Sequence, residues 1–436
     1  MRTRGGNCLT GLLGARTFPP LAVDYGGRSM KLNRPFAAGL ALTLAVSACG
    51  ATKTGTATSK PHGGGAGAAS GPVVKVVDIL DESRAENILL PQAHDGVNAR
   101  VDRINADGGL GQAHARVELE FCITDLDPNK TLACARNAIA DKSVIAVAGS
   151  FSTAGETAQL FATAGLPNVP AAGFLPDTFT ASSTFNVNSG VLFLAGVGSL
   201  ACMEGHSNLK ELRNGAAASA QASALVSGAL KSYGCSGLKQ SIDVPLTATD
   251  VSSQVTAAVS GSDGVTLDLV PSLNQQVFRA RQQLGIKVPF FGTTASFTSQ
   301  TLGSLGSAAN GAQVVGWYPT SDVSSPGNTA FLDDLKAIDK SSSASDIARA
   351  SWVAMDLTAA AAKNLKTPTR SALLDALRGV SSYDAGGMLP NLDFSKPGPD
   401  ASFPRIVDLT VAPALVQNGQ LLANPAHRGF LPIFKG

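Results

Sequence analysis

The chain has 436 residues, with 34 Lys and Arg against 32 Asp and Glu and a formal net charge of +2. That balance gives no basic field for nucleic acid, so no nucleic-acid partner is expected. Aromatic residues are scarce at 6%, while Gly and Ala are abundant, which suits close helix–sheet packing better than an aromatic-rich binding surface.

At the N-terminal side, Lys31 and Arg34 precede an uncharged run from Pro35 to Ala48. The run is too short to span a bilayer, which takes roughly 20 apolar residues. A basic start, a short apolar stretch and small residues before a cut describe a secretory signal over residues 1–48. Cys49 follows the small residues in Val46-Ser47-Ala48-Cys49-Gly50, so the segment resembles a bacterial lipoprotein signal. That resemblance implies cleavage before Cys49 and a lipid on Cys49. The residues ahead of Met30 show no periodic pattern and Met30 has its own basic start, so translation is expected to begin at Met30. From Ala51 to Pro72 the chain is almost all Gly, Ala, Thr, Ser and Lys, which cannot bury enough apolar surface to offset its ordering entropy. Residues 49–72 are therefore expected to be a flexible tether. The remainder is long enough for two domains.

Strands and helices then alternate. Val73 to Leu80 is a dense apolar run of the kind found in buried parallel strands. Leu90, Ala93, Val97, Val101 and Ile104 follow at helical spacing, stopped by Asp107-Gly108-Gly109. Val117, Leu119 and Phe121 alternate as a strand ending at Cys122. Asp127 and Pro128 read as the cap and first residue of the next helix, which carries Cys134. Val144 to Ala148 is a buried strand ending at Gly149-Ser150. A helix from about Ser152 to Ala164 and a short strand near Val169 complete a β-α-β-α-β-α-β run.

A second run starts after Ser189. Strands are expected at Leu209–Leu212, Ile242–Val244, Gly264–Val270, Val288–Phe291 and Val314–Tyr318. Helices are expected at Ala217–Tyr233, from Asp250, at Asn274–Leu284, Asp346–Asn364 and Thr369–Arg378. Ile406 to Val411 and Leu421-Leu422, turning at Gly419, read as a terminal hairpin. The fold class is α/β, with two Rossmann-like lobes built on doubly wound parallel sheets.

Setting aside Cys8 in the leader and Cys49, four cysteines remain: Cys122, Cys134, Cys202 and Cys235. In an exported chain an even number suggests disulfides, and four allow three connectivities. The local pairing, Cys122–Cys134 and Cys202–Cys235, is expected. No Cys-x-x-Cys or clustered His suggests a metal, and no motif suggests a cofactor.

The segment Arg103-Ile104-Asn105-Ala106-Asp107-Gly108-Gly109-Leu110-Gly111 resembles the Ile-Asn-Ala-x-Gly-Gly segment of type I periplasmic binding proteins. Asp125-x-Asp127-Pro128, the Arg279 to Ile286 helix end before Val288-Pro289, and Gly311 to Tyr318 match the same family in order and spacing. The resemblance covers nearly all of Val73 to Gly436 and points to the leucine/isoleucine/valine-binding branch. It implies two lobes joined by three crossings, expected near Ser189, Tyr318 and Asp384. The lobes would be 73–188 with 319–383, and 189–318 with 384–436.

With that architecture the ligand sits at the carboxyl ends of the strands. Ser150, Phe151, Ser152 and Thr153 end a strand and open a helix, where hydroxyls, free N–H groups and the helix dipole suit a carboxylate. Ala172, Gly173 and Phe174 end the next strand, with Gly173 where the family usually has Thr or Ser. On the opposing lobe Ser272, Thr293 and Thr294 lie at strand ends. The family's amino-acid binders have an acidic residue near Thr294 and an aromatic near Asn214, and neither is present. Asp268 is a possible charge or a lobe-internal acceptor; Asp81 and Glu82 are lid contacts or a solvated turn. Trp317 and Tyr318 stand beside a crossing.

No Gly-x-Ser-x-Gly, His-Glu-x-x-His or Walker loop is present, so no enzyme is expected. The function expected is a monomeric extracytoplasmic receptor, lipid-anchored to the cell membrane. It would capture a small carboxylate-bearing molecule, an amino acid or a relative, and deliver it to the permease of an ABC importer. A sensor subunit and a lipoprotein or hydrolase on the same fold are the alternatives.

Overall fold

A computed structural model describes residues 67–83, 89–153, 155–215, 217–339 and 342–435. The leader, Met30, Cys49 and the tether as far as residue 66 lie outside the described residues. Among the described residues no helix is long and apolar enough to cross a membrane.

The first α/β run is β1 (Val73–Leu80), α1 (Pro91–Ala106), β2 (Arg116–Ile123), α2 (Pro128–Ala140), β3 (Val144–Ala148), α3 (Ala158–Ala164) and β4 (Asn168–Val169). Its four strands are all parallel, in the order β2-β1-β3-β4. Val76 of β1 joins the cluster under α1, while Val77 and Ile79 face Ala135 of α2 and Phe161 of α3. Both faces are covered, which is why β1 reads as a continuous apolar run rather than an alternation. Asp127 caps α2 by accepting from Asn129 N (2.8 Å), with Pro128 in the first turn.

The second run is α4 (Phe193–Met203), β5 (Leu209–Asn214), α5 (Ala217–Ser232), β6 (Gln240–Val244), α6 (Ser252–Val259), β7 (Gly264–Asp268), α7 (Pro271–Gln283), β8 (Phe290–Thr293), α8 (Ser299–Leu305) and β9 (Gln313–Gly316). There follow α9 (Pro326–Ile338), α10 (Asp346–Ala362) and α11 (Arg370–Arg378), then β10 (Thr410–Gln417), β11 (Gln420–Ala423) and β12 (Leu431–Pro432). The second sheet runs β11-β10-β9-β8-β7-β5-β6, parallel from β6 to β9 and antiparallel at β10 and β11; β12 pairs with β10. The hairpin β10–β11 turns at Asn418-Gly419.

Cys122 is bonded to Cys134 and Cys202 to Cys235, the local pairing. The first ties the end of β2 to α2, and the second ties the end of α4 to the turn after α5. Helix α10 returns to cover α1 so closely that a Cβ on Gly96 would stand 2.1 Å from the Ala348 carbonyl oxygen. Only glycine permits that approach.

The structure departs from the sequence reading in several places, and the first strand of the terminal hairpin runs Thr410–Gln417 rather than Ile406–Val411. Helix α4 was not expected: eight of its residues are buried, from Phe193 to Ala201, so it has no polar face to reveal a helical period. Helices α8 and α9 were also unforeseen; each is short of apolar residues at its start and is opened by a capping hydroxyl, Thr298 and Ser325. The third crossing does not fall near Asp384. Residues 384–405 stay with the first sheet: Tyr383 bridges Leu392, Phe394 packs on Phe185 (5.7 Å between rings), and Phe403 packs on Phe179 (5.5 Å). Arg405 donates to Thr184 O (2.8 Å). The chain reaches the second sheet only at Thr410, so the crossing lies at 406–409.

Candidate functional site

In both sheets the strand order reverses at one point, between β1 and β3 in the first and between β5 and β7 in the second. Open α/β sheets bind ligands in the crevice outside such a switch point. Asp81 follows β1, and Gly149 to Thr153 follow β3. Asn214 ends β5 opposite Leu269-Val270 after β7, and Val270 N donates to Asn214 Oδ1 (3.2 Å).

At the first switch point one carboxylate gathers the donors. Asp81, 3% exposed, accepts from Thr124 Oγ1 (2.5 Å), Thr153 N (2.5 Å), Thr153 Oγ1 (3.0 Å) and Ser152 Oγ (3.3 Å). This wrapping explains why α3 begins at Ala158 rather than near Ser152. Ser150 is buried and accepts from Ile79 N (3.0 Å). Beneath it Asp78 is wholly buried, and burial, with Glu82 adding to it, pushes its carboxyl well above the usual range. Glu82 in turn accepts from Leu90 N (2.6 Å) and pairs with His94 (3.1 Å). Ser150, Ser152 and Ala172 also border a cavity of about 20 Å³, room for one water and too small for an amino acid.

Gly173 is closely packed. Its carbonyl accepts from Val191 N (2.9 Å), and a Cβ there would stand 2.5 Å from Asn186 Oδ1. The Thr or Ser expected from the family resemblance has no room at this position. Phe174 beside it is half-buried and makes an edge contact with Phe151 (4.9 Å) and with Trp317 (6.2 Å).

Trp317 opens the second crossing and holds the others to it. Its Nε1 donates to Gly190 O (3.0 Å), while Asn188 Nδ2 donates to the Tyr318 hydroxyl (3.1 Å) and to Ala171 O (2.7 Å). Ser189 Oγ donates to Thr410 O (3.1 Å), joining the first crossing to the third. In the third crossing Asp408 Oδ1 accepts from Thr410 N (2.9 Å) and Oγ1 (2.7 Å), and burial raises its pKa to about 7. Burial also raises the Tyr318 phenol well above its usual value.

The second lobe reaches this hinge through Thr294. Its hydroxyl donates to Asp346 Oδ2 (2.6 Å), which also accepts from Trp317 N (3.0 Å). Burial raises the Asp346 carboxyl, opposed by Arg349. Asp346, in the first turn of α10, thus bonds both Thr294 and the backbone of Trp317. Thr293 is buried, and Ser272 stands exposed in the first turn of α7. Asp268 turns toward Ser219 and Arg213 under α5, and burial raises its carboxyl, which fits the lobe-internal role.

A sequence profile described as periplasmic binding protein matches residues 74–402, three-quarters of the chain. The chain belongs to the periplasmic binding protein family. No curated protein matches it in sequence. Among solved structures, it is similar to the substrate-binding protein LivJ of a branched-chain amino acid transporter from Streptococcus pneumoniae, solved with isoleucine. The identity is 18%, over 80% of this chain and 98% of that one, with a TM-score of 0.64. It is also similar to an ABC transporter substrate-binding protein from Sphaerobacter thermophilus (15% identity, 83% and 98% covered, TM-score 0.67). A third is the leucine-binding protein LivK from Thermotoga maritima (17% identity, 81% and 99% covered, TM-score 0.61). At these identities the likeness is one of fold: two Rossmann-like α/β lobes.

Within this periplasmic binding protein, the contacts bring together Phe151, Ser152, Thr153 and Phe174 on one lobe and Thr294 on the other, linked through Trp317 and Asp346. Ser272 stands apart from them, while Ala172 shares the small cavity with Ser150 and Ser152. Sequence reasoning missed Asp346 and Asp408 and left Asp81 undecided. Asp81 had a usable signal: it directly follows a buried strand at the end where ligands bind. Asp346 had none, because its partner Thr294 is 52 residues away in the chain.

Proposed function

We propose that this protein is a lipid-tethered, extracytoplasmic solute-binding receptor that closes two lobes on a small molecule and passes it to the permease of an ABC importer. It acts as a monomer and as a carrier rather than a catalyst. The observation that supports this best is the pairing of two switch points across a hinge whose first crossing is hydrogen-bonded to the other two, in a chain of the periplasmic binding protein family. Ligand binding is proposed at Phe151 to Thr153, Phe174 and Thr294. One similar structure holds isoleucine, so a molecule of amino-acid size is the scale to test. The seat read from sequence for a ligand carboxylate is taken by Asp81, so the proposal keeps a small solute without requiring that carboxylate.

The test is thermal unfolding of the purified mature chain against amino acids, carboxylates, amides and amines. A ligand at 100 times its dissociation constant that binds only the folded form adds about 2.7 kcal/mol, a clear shift. Trp317 fluorescence reports the hinge independently. A shift with any one class supports the receptor; no shift and no fluorescence change across the panel refutes it.

A further inference from the structure

Resting on the receptor reading and its lipid tether, we infer that the pole of the first lobe where the tether joins the body is a seat for the membrane surface, held to anionic phospholipid head groups by Lys142, Lys363 and Lys366.

The body begins at this pole. Ala69 N donates to Asn105 O (2.7 Å) and Gly71 N to His114 O (2.8 Å), so residues 67–71 lie against the end of α1 and the turn after it. Strand β1 then starts beside β2, where Arg116 N donates to Pro72 O (3.0 Å). Gly67 comes 18 residues after Cys49. With a lipid on Cys49, the pole that holds Gly67 is the part of the body with the shortest reach to the bilayer.

Three loops surround that root at the amino ends of the strands: 107–115 between α1 and β2, 141–143 between α2 and β3, and 363–369 between α10 and α11. Hydrogen bonds tie them together. Gln112 N donates to Leu365 O (2.9 Å) and Lys75 N to Ser143 O (2.9 Å), while Arg370, opening α11, donates to Ile139 O (2.8 Å) and Val144 O (2.6 Å). The two acids in these loops are spent, Asp107 on Arg103 (2.9 Å) and Asp141 on Lys75 (2.8 Å). The loop into β4, 165–167, has no charged residue. Arg116, at the start of β2, shares a strand face with Glu118. Lys142, Lys363 and Lys366 are exposed and have no ion pair among the described residues; Lys142 reaches only Ile139 O (3.4 Å).

This patch runs against the charge of the whole. Without residues 1–48 the chain has 28 Lys and Arg against 31 Asp and Glu, a net charge of −3, so its bulk charge is repelled by an anionic surface. Yet from Cys49 to Val77 it has Lys53, Lys60 and Lys75 and no acid. Tether, root and pole thus form one basic stretch. Basic clusters next to a membrane anchor are drawn to anionic lipid, each cation near the surface strengthening binding about fivefold. Seated on this pole, the first lobe keeps its switch point, at the opposite ends of the same strands, clear of lipid and open to solute.

The test is sedimentation of the mature chain, prepared without its lipid, with vesicles of phosphatidylcholine alone or mixed with phosphatidylglycerol. Binding to the mixed vesicles and none to phosphatidylcholine is expected, falling at least about tenfold as salt rises from about 0.05 to 0.5 M. Lys142→Glu with Lys363→Glu and Lys366→Glu should weaken it at least about tenfold at an unchanged melting temperature. Lys231→Glu with Lys239→Glu and Lys287→Glu removes the same charge from the amino ends of the second sheet, and should change binding less than about twofold. The salt series on the unaltered chain keeps the test standing if the first triple variant fails to fold. Equal losses from the two triples, binding that ignores salt, or release by inorganic phosphate beyond that by chloride at the same ionic strength would overturn the membrane seat. No binding to the mixed vesicles, while a solute still raises the melting temperature, overturns the seat and leaves the receptor intact. Vesicle binding of the expected pattern without any solute shift supports the seat and refutes the receptor alone.

Discussion

Replacing Asp408 by Asn isolates one buried charge in the hinge. Its Oδ1 takes both donors of Thr410, while Oδ2 has no partner among the described residues, so an amide fits the same space. Burial lifts the carboxyl from 3.8 to about 7. At about 1.4 kcal/mol per unit, that shift corresponds to about 4 kcal/mol of folding stability. The folded chain holds the proton over a range where the unfolded chain has released it. The contribution is therefore complete below about pH 4, falls as pH rises, and is gone above about pH 7. Urea unfolding of both proteins at intervals from about pH 4 to 8 gives the comparison. The difference in stability between the two should change across that window by up to about 4 kcal/mol, with the Asn variant gaining relative to the parent at the high end. Asp78, Asp346 and Glu211 also have raised carboxyls, so only the difference between the proteins isolates Asp408. Parallel profiles would show that Asp408 reaches solvent and that its burial was misjudged.

Gly173→Ser places a Cβ 2.5 Å from Asn186 Oδ1 and 2.9 Å from Thr178 Oγ1, and should cost about 1 to 3 kcal/mol by thermal unfolding. An unchanged midpoint would mean that this turn yields freely. Removing the Cys202–Cys235 bridge, whose ends are 33 residues apart, should cost about 4 kcal/mol, against about 3 kcal/mol for Cys122–Cys134 at 12. Chemical unfolding of the two double-Ala variants gives the order; a larger loss for the shorter loop would contradict the chain-entropy account.

The alternation of strands and helices was readable because each element here carries its own period or cap. The run Val73–Leu80 and the spacing of Ala93, Val97 and Ile104 both became the elements they suggest. Helix α4 was hidden by the same logic: buried on every side, it has no period. The third crossing was misplaced because Leu392, Phe394 and Phe403 look alike in sequence whichever lobe they fill. The site was legible only as a region. Ser152 and Thr153 could be singled out in the sequence, but what they bond is decided by Asp81, 71 and 72 residues earlier, and no local pattern connects them. Thr294 and Asp346 pose the same difficulty, since hydrogen bonds across a hinge leave no spacing in the chain.

The contact of Gly96 with Ala348 also fixes when the first lobe can be finished. Its founding helix, α1, waits for a partner encoded more than half the chain later, after the whole α/β run of the second lobe has been made. Until then the Gly96 face of α1 is uncovered, and the nascent polypeptide keeps an open, non-local core that is slow to consolidate. The order of synthesis thus holds the first lobe back from premature closure.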